Sequence, residues 1–147
     1  MYELTYQSEA RKKVTQKDII EILESARRHN KINGVTGCLI YYNRRFIQII
    51  EGSKAAVQET YQRICEDRRH KEIQLIAENS TSERTFPEWG MAYFPIDEGK
   101  INTNELKQFR NNINLLAGFS RPSKVSGIMF WVKVKALLAE PPGFYDK

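Results

Sequence analysis

The sequence predicts an α+β fold: a sheet of five strands with two helices on one face and a helical pair on the other. Three observations carry this. Short β-rich runs and helical stripes follow one another in the order β-α-β-β-α-β-β before the chain turns wholly helical. The first helical stripe opens on a capping signal. The central run 46–51 is apolar on both sides, with Phe46 and Ile50 on one and Ile47 and Ile49 on the other, so something must pack on each face.

The elements follow in order. Tyr2, Leu4, Tyr6 and Ser8 alternate with Glu3, Thr5 and Gln7, the period-2 pattern of a strand over 2–8. Thr15-Gln-Lys-Asp18 is a helix start of the Ser/Thr-x-x-acid type. Ile19, Ile22, Leu23 and Ala26 continue it at helical spacing until the turn signal Asn33-Gly34. Residues 35–42 and 46–51 read as a hairpin joined by Asn43-Arg44-Arg45. Gly52-Ser53 opens a second helix, with Val57, Tyr61, Ile64 and Cys65 along one face. Further strands fit 72–78 and 88–95. Two helices on one face of such a sheet make the ferredoxin-like arrangement. Beyond it, Leu106, Phe109, Ile113 and Leu116 form one helical stripe. Val125, Ile128, Val132 and Leu138 form another, between Pro122 and Pro141-Pro142. This pair is expected to cover the second face, giving a domain over 1–97 and a two-helix cap or output extension over 98–147.

Bulk properties exclude several classes. No apolar run approaches the roughly 20 residues that span a bilayer, and Met1-Tyr-Glu-Leu-Thr lacks the basic and apolar regions of a secretory signal. Cys38 lies in an apolar strand and Cys65 on a helix face; both read as buried free thiols of a cytoplasmic protein. His29 and His70 are the only histidines, and no Cys-x-x-Cys or His-x-x-x-His spacing points to zinc. The net charge is +5, with basic clusters at Arg11-Lys12-Lys13, Arg27-Arg28, Arg44-Arg45 and Arg68-Arg69. These read first as solvated surface and second as attraction to nucleic acid or a phosphate-bearing ligand.

Four polar side chains sit where apolar ones are expected. Gln48 shares an inward face with Phe46 and Ile50. Tyr6 shares one with Leu4. Asn30 lies close to the inward stripe of the first helix, and Arg63 lies beside the inward Ile64 of the second. A buried amide or hydroxyl without a partner costs about 1–3 kcal/mol. Singly each reads as ordinary structure. Together a phenol, two amides and a guanidinium surround the gap between two helices and a sheet, a set that a planar heterocycle with alternating donors and acceptors would satisfy.

Five pieces in order then carry a resemblance: Leu4-Thr5-Tyr6-Gln7-Ser8-Glu9-Ala10; Asn30 leading to Gly34-Val35-Thr36-Gly37-Cys38-Leu39; Phe46-Ile47-Gln48-Ile49-Ile50-Glu51-Gly52; Asp67-Arg68-Arg69-His70; and Arg84-Thr85-Phe86-Pro87-Glu88-Trp89-Gly90-Met91. Over roughly 2–95 the chain resembles the BLUF domain, a blue-light sensor using flavin. The resemblance implies a photoreceptor and not a turnover enzyme. In it Tyr6 falls on the photoactive tyrosine that gives an electron and proton to excited flavin, and Gln48 on the glutamine bridging it to flavin N5 and C4=O. Asn30 matches the asparagine on the pyrimidine edge, and Arg63 stands where an arginine reaches C2=O. Ile22 and Ile64 match the apolar residues that sandwich the ring, His29 precedes Asn30 within stacking reach, and Trp89 and Met91 match the switch region. Ala26 stands where many members carry serine.

No dinucleotide or Walker loop is present, so a flavin phosphate is expected on surface charge such as Arg27, Arg28 or Lys31. FAD is favoured, with FMN and riboflavin left open. The output is expected through a separate protein partner or a homo-oligomer, dimer or larger ring, for which Phe130 and Trp131 are the exposed apolar candidates. Two other classes share the strand order. An RRM-like nucleic-acid module needs aromatics on an open sheet face in an RNP1-like run, which is missing. An acylphosphatase-like hydrolase needs a phosphate cradle after the first strand, also missing.

Overall fold

The structure is a computed structural model and describes residues 1–88, 90–93, 103–119 and 122–141. Its elements are β1 (Tyr2–Ala10), α1 (Gln16–Ile32), β2 (Thr36–Tyr42), β3 (Arg45–Gly52), α2 (Lys54–Glu66), β4 (His70–Ser80), β5 (Gly90–Tyr93), α3 (Thr103–Phe119) and α4 (Val125–Leu138). The strands form one sheet in the order β4-β1-β3-β2-β5. Neighbours are antiparallel except β2 and β5, which run parallel. The α+β, ferredoxin-like expectation holds, with β1 and β3 at the centre.

Local chemistry explains the element ends. Thr15 caps α1 as a full capping box: its hydroxyl accepts from the Asp18 amide at 3.2 Å, and Asp18 accepts from the Thr15 amide at 2.9 Å. Ser53 caps α2 by accepting from the Ala56 amide. The hairpin turn is two residues long, not three: Asn43 and Arg44 hold φ of 55° and 64°, and Arg45 already belongs to β3. Two left-handed residues match the twist of the flanking strands. Arg44 is an unusual occupant, held there by its guanidinium, which donates to the carbonyls of Arg11 and Val14. Gly37 is required by contact: a Cβ there would lie 1.9 Å from the Ile49 carbonyl oxygen.

The sheet is buried on both faces. On one, α1 packs Ile19, Ile22 and Leu23 against Leu39, Tyr41 and Phe46, and α2 packs Val57, Tyr61 and Ile64 against Leu4, Tyr6 and Ile50. On the other, Cys38, Ile40, Tyr42, Ile47 and Ile49 meet Leu106 and Ile113 of α3 and Phe130, Val134 and Leu137 of α4. The face that an RRM-like module leaves open is covered.

Three readings of the sequence are corrected. The inward face of α4 is Ser126, Gly127, Phe130, Trp131, Val134, Leu137 and Leu138, while Val125, Ile128 and Val132 are 60%, 46% and 51% exposed. Phe130 and Trp131 are therefore core, stacked edge-on with each other and packed on Phe86. The helix is apolar on both sides, so periodicity could not choose between its faces. On α3 the stripe holds for Leu106 and Ile113, but Leu116 is exposed. Cys38 is buried as expected; Cys65 is exposed, because the inward row of α2 turns from Tyr61 to Ile64 and leaves Cys65 at its margin.

Candidate functional site

Antiparallel register places Tyr6 of β1 directly beside Gln48 of β3, with Leu39 of β2 on the other side of Gln48. All three side chains are buried and point between α1 and α2. Here the sheet and the two helices leave a cleft, open at its mouth, with about 70 Å³ of room for water-sized groups, below the roughly 300–1,000 Å³ usual for small-molecule sites. Ile22, Ser25, Ala26, His29 and Asn30 line it from α1, and Thr60, Arg63 and Ile64 from α2. Phe46 lies on its floor, and Asp67, Arg69 and His70 come from the segment after α2.

Tyr6 donates its hydroxyl proton to Gln48 Oε1. Burial pushes the Tyr6 phenol far up, with smaller pushes from the neighbouring Cys65, Tyr61 and Asp67, so it keeps its proton at neutral pH. With Oε1 turned to Tyr6, Gln48 Nε2 is buried without a hydrogen-bond partner, and so is Asn30 Nδ2. Two amide donors of cavity-lining residues are thus left unsatisfied, each at about 1–3 kcal/mol. A ligand with carbonyl or ring-nitrogen acceptors removes that cost, and a flavin ring edge carries such acceptors. The residues present fit the group.

The other side chains complete the lining. His29 is half-buried and bridges the helices: its ring nitrogens lie 3.2–3.4 Å from Asn33 Nδ2 and Thr60 Oγ1. Ile22 and Ile64 face the cavity from α1 and α2, and Arg63 stands exposed at its rim. Ser25, not Ala26, brings a hydroxyl-bearing residue to the lining. Among the expected phosphate cations, Arg27, Arg28 and Lys31 are exposed; the cations that line the cavity are Arg63 and Arg69. Trp89 lies outside the described residues, as does the side chain of Met91, whose backbone pairs with Leu39.

Sequence reasoning gave no role to Asp67, Arg69 or His70. Arg69 donates to both Asp67 carboxylate oxygens, at 3.0 and 2.8 Å. Burial would raise Asp67, but these bonds outweigh it and hold the carboxyl low. His70 stacks tilted on Phe46 at 4.6 Å. Its Nδ1 lies 2.8 Å from Ser8 Oγ, and its Nε2 lies 3.9 Å from Asp67. The carboxylate favours the proton on Nε2, so the Ser8 hydroxyl donates to Nδ1. Burial lowers His70 to about 4 against the opposing pull of Asp67; it is neutral imidazole at ordinary pH. The legible signal was Asp67-Arg68-Arg69-His70 directly after a helix.

Comparison with known proteins identifies the family. Residues 1–92 match the family described as BLUF, sensors of blue-light using FAD. The photoactivated adenylate cyclase subunit beta of Euglena gracilis is 37% identical over 87 residues, 58% of this chain but only 10% of that protein. Among solved structures, BlrB, a BLUF protein in its dark state, is 28% identical at a TM-score of 0.63, covering 94% of both chains. BlsA in its photo-activated state is 27% identical at 0.61, covering 96% of both. The family match takes in β1 to β4 and the helices α1 and α2, and the chain belongs to the BLUF family of flavin-using blue-light sensors.

Proposed function

We propose that the cavity holds a flavin ring non-covalently, FAD in preference to FMN or riboflavin, and that Tyr6 and Gln48 read its excitation. Flavin supplies blue-light absorption and, once excited, a strong pull on electrons. Tyr6 would supply the electron and pass its proton along the hydrogen bond already made to Gln48 Oε1, and both would return to Tyr6 at the end of the cycle, so nothing is consumed. The amide of Gln48 then turns or tautomerises, exchanging donor and acceptor toward Tyr6 and the ring. Asn30 and Arg63 donate to the ring's carbonyl edge, while Ile22 and Ile64 clamp its faces. His29 closes the mouth. Trp89 and Met91, the switch pair of the resemblance, sense the turned amide; the Met91 backbone pairs with Leu39. Residues 1–97 read light and 98–147 pass it on, to a separate partner protein or through a change in self-assembly.

The observation that carries this is Gln48 itself: one end of a buried amide is satisfied by a tyrosine, and the other has no partner. No helix among the described residues is long and apolar enough to cross a membrane, and the two free thiols suit the reducing cytoplasm. The test is colour. Purified protein is expected to be yellow, to shift to longer wavelength under blue light and to recover in the dark. Tyr6→Phe and Gln48→Leu are expected to keep the colour and lose the shift. Protein that stays colourless and takes up no flavin overturns the reading.

A further inference from the structure

Helix α4 differs from α1. The outward side of α1 carries exposed Lys17, Glu21, Glu24, Arg27 and Arg28 around the exposed Ile20. The outward side of α4 carries Val125, Ile128 and Val132, each about half-exposed, at i, i+3 and i+7, one continuous row on a helix. Lys124 and Lys135 are exposed and flank the row on one margin, with half-buried Lys133 on the other. No acidic side chain occurs between Val125 and Leu138. A helix apolar all round normally has both sides covered. The row is also held still. At the N-terminal end Thr5 Oγ1 donates to the Ser126 carbonyl, and Ser126 donates to Asn79 Oδ1 from its amide and its hydroxyl. At the other end Tyr42 donates to the Glu140 carbonyl and Arg45 pairs with the Glu140 carboxylate.

We infer that the outward row of α4 is the docking surface for an amphipathic helix of a partner protein, one that presents leucine-type anchors at i, i+3 or i+4 and i+7 with Asp or Glu along their margins. The anchors fill the spaces between Val125, Ile128 and Val132. The acids meet Lys124 and Lys135, which have no such counterparts on α4. A second copy is the poorer occupant: antiparallel two-fold packing sets the same margin of both helices together, lysine against lysine, with no acid to neutralise them. A lipid surface is poorer too, because interfacial helices insert Trp, Phe and Leu, and here the aromatics Phe130 and Trp131 face the core. The inference deepens the reading that residues 98–147 pass the signal on, and rests on it.

The full-length protein is titrated, in the dark and under blue light, with a fluorescent synthetic helix bearing leucine anchors and flanking glutamates. The control is the same peptide with lysines for glutamates. The glutamate peptide is expected to bind at least roughly tenfold tighter. Val132→Asp is expected to abolish binding with circular dichroism and Tm unchanged, since the side chain is on the surface. Lys124→Glu combined with Lys135→Glu is expected to reverse the preference. Equal binding of both peptides, or binding indifferent to Val132→Asp, overturns the inference. So does a dimer in sedimentation that Val132→Asp dissolves, or binding to mixed phosphatidylcholine–phosphatidylserine vesicles that Val132→Asp abolishes while the peptide fails. The flavin shift is recorded on the same samples. Its absence counts against the photoreceptor reading, while the peptide result alone decides this one.

Discussion

The two faces of the sheet bury polar groups in opposite ways. On the α1–α2 face, Gln48 and Asn30 bring amide donors to one cavity and leave them without partners. On the α3–α4 face, polar groups are buried (Glu3, Glu51, Ser126) or half-buried (Asn79, Arg110) and are engaged with protein partners. Glu51 accepts from the amides of Thr85 and Phe86 at 2.6 and 2.7 Å. Asn79 donates to Glu3 Oε1 and accepts from Ser126. Arg110 donates to the Tyr42 hydroxyl and the Glu140 carbonyl. Two atoms there also lack partners, Glu3 Oε2 and Arg110 Nε, but neither residue lines the cavity on which Gln48 and Asn30 converge. The first pattern is that of a site awaiting a ligand. The second is that of a joint, tying α4 to β1, β4 and the β2–β3 hairpin. On the proposed reading a signal from Gln48 would have only one strand, β3, to cross: Ile47 and Ile49, its neighbours in sequence, lie in the α4 cluster.

If this contrast is right, deleting a partner from the joint is costly even without ligand. Asn79→Ala strands Glu3 Oε1 and the Ser126 amide together, and leaves the Ser126 hydroxyl only its 3.5 Å bond to the Glu3 carbonyl. The expected loss is about 3 kcal/mol of unfolding free energy, read by urea titration of flavin-free protein. A loss below about 1 kcal/mol would mean that α4 is held by its apolar face alone.

A second effect lies on the cavity side and depends on pH. His70 is neutral and buried, its pKa lowered from 6.5 to about 4. Since the folded value lies below the unfolded one, the stability it contributes is complete above pH 6.5 and is lost as the pH falls toward 4. The expected cost is about 2 kcal/mol by pH 5. Tm measured through this window should fall in the parent, and the slope should flatten in His70→Gln. Equal slopes would assign the acid sensitivity elsewhere. Glu51 is excluded as the source by sign: burial raises it, so its protonation favours the folded state as the pH drops.

Legibility in the sequence follows the same division. Strand alternation placed Tyr6 and Gln48 inward, because a period of two leaves only two choices and Leu4, Phe46 and Ile50 make one of them. Helix periodicity placed Asn30, Ile22 and Ile64 on the cavity for a similar reason. It failed on α4, where Val, Ile, Phe and Trp occupy both sides and the face is chosen by tertiary fit: Ser126 bonds to Thr5 of β1, Gly127 leaves room for Pro122, and Phe130 fills the space against Phe86. Asp67, Arg69 and His70 were not legible as lining because no periodicity governs the short segment after α2. They reach the cavity only because β4 pairs with β1, setting His70 opposite Ala10 and near Ser8.

The smallest effect is the sharpest test of the contrast. Asn30 is 1% exposed, and its Nδ2 has no partner to lose. In flavin-free protein, Asn30→Ala removes an unsatisfied donor along with a little packing, two changes of opposite sign, so the net shift should stay under about 1 kcal/mol. In the presence of flavin the same substitution removes a made hydrogen bond, and affinity should fall roughly tenfold or more. Asn79→Ala should show the reverse pattern, a large loss of stability with flavin affinity preserved once the protein is folded. If Asn30→Ala instead unfolds the flavin-free protein as readily as Asn79→Ala does, then Asn30 is part of the frame. The unsatisfied amides would then mark a gap in packing and not a ligand's place.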